Sequence, residues 1–315
     1  MSTQTPPNVL AATAEAVAKA ARVLAAGGTV AVPTETVYGL AARADQAEAV
    51  AGIYRAKGRP DFNPLIVHVL DFAAAERLAH FDGHARALAT AFWPGPLTMV
   101  LPLRADAPLA AAVSAGLPTV ALRVPDHPVM RALLKAANLP LAAPSANRSG
   151  GVSPTCAAHV TASLGERADL ILDGGATDQG LESTIVAVRP GSGWQILRPG
   201  PVSGAAISAL LGAAASPGEE RGIEAPGQLA SHYAPGKPVR LHALTAEPGE
   251  FLIGFGDVHG AISLSASGDL AEAAARLYAC LHLAAAADEP RIAVAPIPEQ
   301  GIGIAINDRL RRAAV

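Results

Sequence analysis

Ile53-Tyr54-Arg55-Ala56-Lys57-Gly58-Arg59-Pro60-Asp61-Phe62-Asn63-Pro64-Leu65-Ile66-Val67-His68-Val69 reads as the end of a helix, a turn, and a strand that leaves carrying a histidine. Lys57 and Arg59 flank a glycine that permits backbone angles other residues avoid, and Pro60 and Pro64 stiffen the exit. Ammonium and guanidinium groups at such a bend suit phosphate oxygens. A solvated Lys/Arg turn is the plainer reading of this stretch alone. The segments around it decide between the two.

Upstream, Ala11 to Ala26 has helical spacing and stops at Gly27-Gly28, and Thr29-Val-Ala-Val32 reads as a short buried strand. Pro33-Thr34-Glu35-Thr36-Val37-Tyr38-Gly39-Leu40 is then a polar insertion at a strand end, where α/β sheets place their ligands. A hydroxyl-rich turn that satisfies its own backbone reads equally well there. Asp45 and Glu48 are spaced as a helix start, and Thr155 as a helix cap. Downstream, strands are expected at Leu65–Val69, Leu97–Leu101, Thr119–Val124, Leu141–Ala143, Asp169–Asp173, Ser183–Val188 and from Gln195. Helices are expected near Phe72–Leu78, His84–Phe92, Pro128–Ala137 and through Ser163. Arg123 and Arg198 each follow short apolar strands, at edges or aimed at an anion. The loop Pro144-Ser145-Ala146-Asn147-Arg148-Ser149-Gly150-Gly151-Val152-Ser153 brings many hydroxyl and N–H donors to another strand end.

With 315 residues, half of them hydrophobic and 16% charged, the chain is expected to form two globular domains. The net charge of -3 argues against a generally basic nucleic-acid coat. Cys156 and Cys280 are too far apart in sequence for a C-x-x-C motif, and His80 and His84 are separated by Gly83, so no metal site is expected. There is no leader pattern and no long apolar run, and a cytoplasmic location is expected. From about Gly212 to Lys237, Ala, Ser, Pro, Gly and Glu dominate, as in a linker. Domain bounds of 1–211 and 238–315 follow, with a small second α/β domain. Its strands are expected near Phe251–Phe255, Ala261–Leu264 and Ile292–Ala295, and its helices near Leu270–Ala286 and Ile304–Arg312. P-loop, dinucleotide and nucleophile-elbow patterns are missing. The residues alone give an α/β protein with an anion-binding cleft.

Six motifs in order carry a resemblance: Pro33-Thr-Glu-Thr-Val-Tyr-Gly-Leu40; Lys57-Gly-Arg-Pro with Asn63-Pro-Leu-Ile-Val-His68; Trp93-Pro-Gly-Pro-Leu-Thr98; Ala143-Pro-Ser-Ala-Asn147; Glu182-Ser-Thr-Ile185; and Leu197-Arg-Pro-Gly200. They resemble the YrdC-domain family, and within it the long, two-domain L-threonylcarbamoyladenylate synthases. The linker motifs Ala225-Pro-Gly-Gln-Leu229 and His232-Tyr-Ala-Pro235 extend the likeness, as does Gly301-Ile-Gly-Ile-Ala-Ile-Asn-Asp-Arg-Leu310. Ala41 departs from the glycine more usual there.

The resemblance implies a twisted mixed sheet forming a concave YrdC-like domain, a linker, and a small Rossmann-like domain. It implies condensation of L-threonine, bicarbonate and ATP, with Mg²⁺ on the triphosphate, to threonylcarbamoyl-AMP and pyrophosphate. The product would pass to a tRNA threonylcarbamoyl transferase complex. Lys57, Arg59, Ser145 and Asn147 would be catalytic. ATP would meet Arg59, Asn63, Thr119, Ser145, Ser153, Arg198 and Tyr233, and threonine would meet Thr36, His68, Arg123, the backbone of Ala143, and Ser183. Ser231-His232-Tyr233-Ala-Pro-Gly236 is then read as a lid on the nucleotide, although a tyrosine that merely pins the linker fits the same residues. Removing the charge of Lys57 or Arg59 is expected to spare the fold and lower activity. Two rival readings are an RNA-binding module of the same fold, with weak RNA contact, and a carbamoyl transferase of hydrogenase maturation. The second would need zinc-finger cysteine pairs that this chain lacks.

Overall fold

The computed structural model describes residues 8–60, 62–189, 191, 193–216, 222–228 and 232–315. Asp61 in the cationic turn, Ser231 in the lid motif and part of the linker lie outside the described residues. The first domain runs β1 (Val9–Ala11), α1 (Ala14–Ala25), β2 (Val30–Pro33), β3 (Tyr38–Arg43), α2 (Ala47–Lys57), β4 (Ile66–His68), α3 (Phe72–Glu76) and α4 (Gly83–Phe92). It continues with β5 (Leu97–Pro102), α5 (Ala111–Ser114), β6 (Thr119–Arg123), α6 (Pro128–Ala137), β7 (Leu141–Ala142) and α7 (Ala157–Leu164). It closes with β8 (Leu170–Asp173), β9 (Thr184–Arg189), β10 (Gly193–Arg198) and α8 (Gly204–Leu211).

Local chemistry sets most helix starts. Thr13, Asp71, Asp82 and Ser203 each accept a backbone N–H of the first turn, and Pro128 opens α6 with its φ already helical. Two expected caps fail. Asp45 is drawn to Arg43 at 2.7 Å, leaving Gln46 to start α2 without a side-chain bond. Cys156, not Thr155, precedes α7, while Thr155 meets His159. Gly58, at φ +60°, ends α2 in the left-handed region and turns the chain toward Arg59.

The ten strands form one mixed sheet in the order β1-β8-β2-β3-β7-β4-β6-β5-β9-β10. Side chains alternate between its faces. Val67, Leu122 and Ala142 point to one face, into a core shared with α2, α4 and α7. Leu141, Val30 and Leu172 point to the other, where α1 and α6 cover one half of the sheet. On that second face the other half carries Ile66, Val100, Ala121, Ile185 and Ala187, with only Ala225 of the linker added to the cluster. No helix among the described residues joins this cluster. The resulting α/β architecture is a twisted mixed sheet with a concave face.

The second domain contains β11 (Val239–Arg240), β12 (Glu250–Gly254), β13 (Ile262–Ser263), α9 (Leu270–Ala286), β14 (Arg291–Val294) and α10 (Gly303–Ala313). Its four strands are all parallel in the order β11-β14-β12-β13, as in a Rossmann-like sheet. Its core is not private. Val37, Val152 and Leu181 of the first domain and Tyr233 of the linker join Leu277, Tyr278 and Ile306 in one apolar cluster. The second domain is therefore seated on the loops at the strand ends of the first. No helix among the described residues is long and apolar enough to cross a membrane.

Candidate active site

The period-two alternation that lines this half of the face with apolar side chains also builds the site. His68 follows Ile66 on that face, Arg123 follows Ala121, and the two sit opposite each other in the β4–β6 register. Thr98 precedes Val100, and Ser183 precedes Ile185, at the matching ends of β5 and β9. On β10 a bulge falls between Ile196 and Arg198, which re-aims the strand end, and the Arg198 guanidinium turns back onto Ser183.

A cavity of about 530 Å³, counting its open mouth, lies over these strand ends. One end is lined by Thr34, Thr36, His68, Arg123 and Ser183, with Ala143 and Pro144 beside them. The other end is lined by Arg59, Ser145, Arg198, Pro226, Gly227, His232 and Tyr233, with Glu182 at the back.

The first end is a fixed polar frame. Arg123 donates from Nη2 to Glu35 Oε1 at 2.6 Å, from Nη1 to Thr36 Oγ1 at 3.0 Å, and from Nε to Gly95 O at 3.2 Å. Burial works against the Glu35 carboxylate, but the Arg123 charge wins and holds its pKa below the usual range. Thr34 and Thr36 share a bond of 2.8 Å, and Thr98 and Ser183 another of 2.8 Å. His68 Nδ1 is buried without a partner, and burial, aided by Arg123, pushes the imidazole down to about 3. A neutral histidine with a buried unpartnered nitrogen is a ready bonding point for a ligand hydroxyl.

The second end is cationic. Arg198 donates from Nε and Nη2 to Ser183 O at 3.1 and 3.0 Å, and Arg59 donates to Asn63 O and Pro64 O at 3.3 and 3.0 Å. Burial lowers the Arg59 pKa to about 10, and its guanidinium stays charged at neutral pH. Tyr233 Oη is buried with no partner. Gly227, at φ +81°, leaves room for it: a Cβ there would lie 3.0 Å from that oxygen and 3.1 Å from Arg198 Cδ.

Five of the predicted site residues do not line this cavity. Lys57 Nζ is buried and donates to Ser145 O at 2.6 Å and Asn147 O at 2.5 Å. Burial and the neighbouring Arg59 charge lower its pKa well below the usual lysine value. The ammonium thus braces the 145–147 loop from beneath rather than projecting from the turn, and its loss would touch the fold. Asn147 is equally occupied, donating to Arg148 O and Gly151 O at 3.0 and 2.7 Å. Ser153 donates to Glu182 Oε1 at 2.6 Å. Asn63 keeps a buried, unpartnered Oδ1 beside Arg59. Thr119 shares a sheet face with Ala121 and Arg123, but lies four residues back along β6, roughly 13 Å from Arg123.

Comparison with known proteins fits this arrangement to a family. A family model described as telomere recombination matches residues 22–200, and one described as the threonylcarbamoyl-AMP synthase C-terminal domain matches 202–315. The chain is 40% identical to the threonylcarbamoyl-AMP synthase of Bacillus subtilis, over 95% of this chain and 92% of that one. The chain belongs to the threonylcarbamoyl-AMP synthase family. It is 37% identical to the synthase of Pyrococcus abyssi over 91% of each chain. The crystal structure of P. abyssi Sua5 complexed with L-threonine superposes with a TM-score of 0.88, covering 96% of this chain and 95% of that one at 33% identity.

Several cavity residues have no assigned role in the sequence reading. Thr34 and Glu182 stand inside quoted motifs, and Pro226, Gly227 and His232 inside the linker motifs. Glu182 and Gly227 meet partners distant in sequence, Arg309 and Arg198.

Proposed function

We infer that the protein is a threonylcarbamoyl-AMP synthase, condensing L-threonine, bicarbonate and ATP to threonylcarbamoyl-AMP and pyrophosphate. The observation that carries the reading is one cavity with two chemically distinct ends, a hydroxyl- and imidazole-lined frame and a pair of arginines, in a chain of this family. L-Threonine would occupy the first end. Arg123 uses three of its five N–H groups on Glu35, Thr36 and Gly95, which leaves two for a carboxylate. The triphosphate would occupy the second, against Arg59 and Arg198.

The threonine amine and bicarbonate form N-carboxy-threonine with loss of water, an anion that needs no serine or cysteine to activate it. Its carboxylate oxygen attacks the α-phosphorus, a new P–O bond forms, and the bond to the β-phosphate bridging oxygen breaks to release pyrophosphate. Charge builds on the phosphoryl oxygens and the leaving group, so catalysis is placement plus fixed positive charge. Arg59 and Arg198 supply the charge. Ser145 lies beside them, and Lys57 and Asn147 hold its loop in place. Among the described residues no group of three or more His, Cys, Asp or Glu is placed to hold a metal. Glu35 and Glu182 are taken by Arg123 and Arg309. Mg²⁺ would then enter on the triphosphate, as part of the nucleotide substrate.

The reaction classes the protein as an ATP-dependent nucleotidyltransferase working in the cytoplasm. A tRNA threonylcarbamoyl transferase complex would receive the product. Incubation with ¹³C-bicarbonate, L-threonine and MgATP, followed by mass spectrometry of the nucleotides, tests the reading. Labelled threonylcarbamoyl-AMP is the expected product, and AMP or ADP without it would refute the assignment.

A further inference from the structure

The terminal motif, which contains Asn307-Asp308-Arg309, lies in the second domain and has no part in the chemistry above. Its arginine nevertheless reaches the cavity wall. Arg309 is fully buried and donates from Nε to Glu182 Oε2 at 2.9 Å and from Nη1 to Asp308 Oδ2 at 2.7 Å. Glu182, at the back of the cavity, also accepts Ser153 Oγ at 2.6 Å and Tyr278 Oη at 2.8 Å. The same two second-domain residues grip the linker tyrosine. The Arg309 guanidinium lies 5.4 Å over the Tyr233 ring, and the Tyr278 ring stacks on it at 5.6 Å. Tyr233 itself sits at φ +64°, a conformation that a bulky residue holds only where its surroundings impose it.

We propose that Arg309 and Glu182 are positioning residues: their ion pair clamps Tyr233 so that its unpartnered hydroxyl faces the arginine end of the cavity. The proposal rests on the functional reading above, with the triphosphate at that end. A buried ion pair adds little net stability over apolar side chains of similar volume, yet it fixes geometry wherever both charges stay paired. Glu182 precedes Ser183, whose carbonyl holds Arg198, so a displaced Glu182 would also disturb an arginine of the cavity. The second domain thereby completes the nucleotide half of the site, while His68 and Arg123 at the other end are held by first-domain residues.

The test uses the full chain and measures ATP and L-threonine affinities separately by calorimetry. Arg309→Met is expected to weaken ATP binding about tenfold or more, with L-threonine affinity held within about twofold. Combined with Tyr233→Ala, it should add almost no further loss, since both changes remove one clamp. Arg309→Lys, which keeps the charge, should recover part of the affinity. Independent additive losses, equal weakening of both ligands, or unchanged ATP affinity would each overturn the proposal. If Arg309→Met does not fold, Glu182→Gln with Arg309→Met leaves no unpaired charge and takes its place, with the same split expected. If that variant does not fold either, Glu182→Gln alone, which removes the ion pair and keeps the side chain's shape, decides, and unchanged ATP affinity in it overturns the proposal. Wild-type protein that makes no threonylcarbamoyl-AMP would refute the functional reading instead, whereas an active wild type without the affinity split refutes the clamp alone.

Discussion

Replacing Lys57 with methionine keeps the apolar stem and removes the terminal nitrogen with its charge. The ammonium now serves Ser145 O at 2.6 Å and Asn147 O at 2.5 Å, and both bonds would be lost. Each carbonyl left without its donor costs about 1–3 kcal/mol, so a total near 4 kcal/mol is expected. At about 2–4 °C per kcal/mol for a domain of this size, the melting temperature should fall by roughly 8–16 °C. The same loop carries Ser145 into the cavity, and a misplacement of about 1 Å there slows catalysis on the order of a hundredfold. Differential scanning calorimetry and pyrophosphate release, run on one preparation below its melting point, would read both effects. A variant that melts with the wild type and turns over normally would refute the brace. So would one that loses activity with no thermal shift, because that pattern belongs to a lysine acting only on substrate.

Arg59→Ala, which removes a cavity charge, should lower turnover by about thirty- to a thousand-fold, the range expected for a contact strengthened in the transition state; near-normal turnover would contradict its role. Serine should replace threonine weakly and 2-aminobutyrate hardly at all in pyrophosphate release, because the site's buried polar groups would go unpaired. Equal rates with 2-aminobutyrate would rule out hydroxyl recognition. Stability should fall as pH drops below about 6.5, since burial pushes His68 and His232 down to about 3 and the unfolded chain alone takes up protons there. Between pH 7 and pH 5 the two imidazoles account for about 4 kcal/mol, a loss that denaturant melts would read and that a flat profile would contradict. Glu35, its pKa lowered from 4.5, adds a loss only in still stronger acid.

Strand and helix periodicity made most of the first domain legible, and α6 was readable end to end from Pro128 to Ala137. β3 was not, because the hydroxyl-rich turn before it masks the start of a strand that pairs with β2 in a tight hairpin. β1 and β11 are short edge strands whose pairing partners lie far along the chain. Motif order brought together residues that the sheet register then aligns, as with His68 opposite Arg123. It could not tell lining residues from supports. Lys57 shares a motif with Arg59, and Ser153 a loop with Ser145, but only tertiary contacts reveal that Lys57 and Ser153 brace the walls. The docking of the second domain was equally hidden, since the Glu182–Arg309 contact joins residues 127 positions apart.

The central claim is that both ends of one cavity act on their ligands together, and pyrophosphate release from MgATP measured with each substrate omitted in turn tests it most directly. The account predicts release only when L-threonine and bicarbonate are both present, in step with formation of threonylcarbamoyl-AMP. Release that persists without threonine or without bicarbonate, or hydrolysis to ADP and phosphate in their presence, would contradict it.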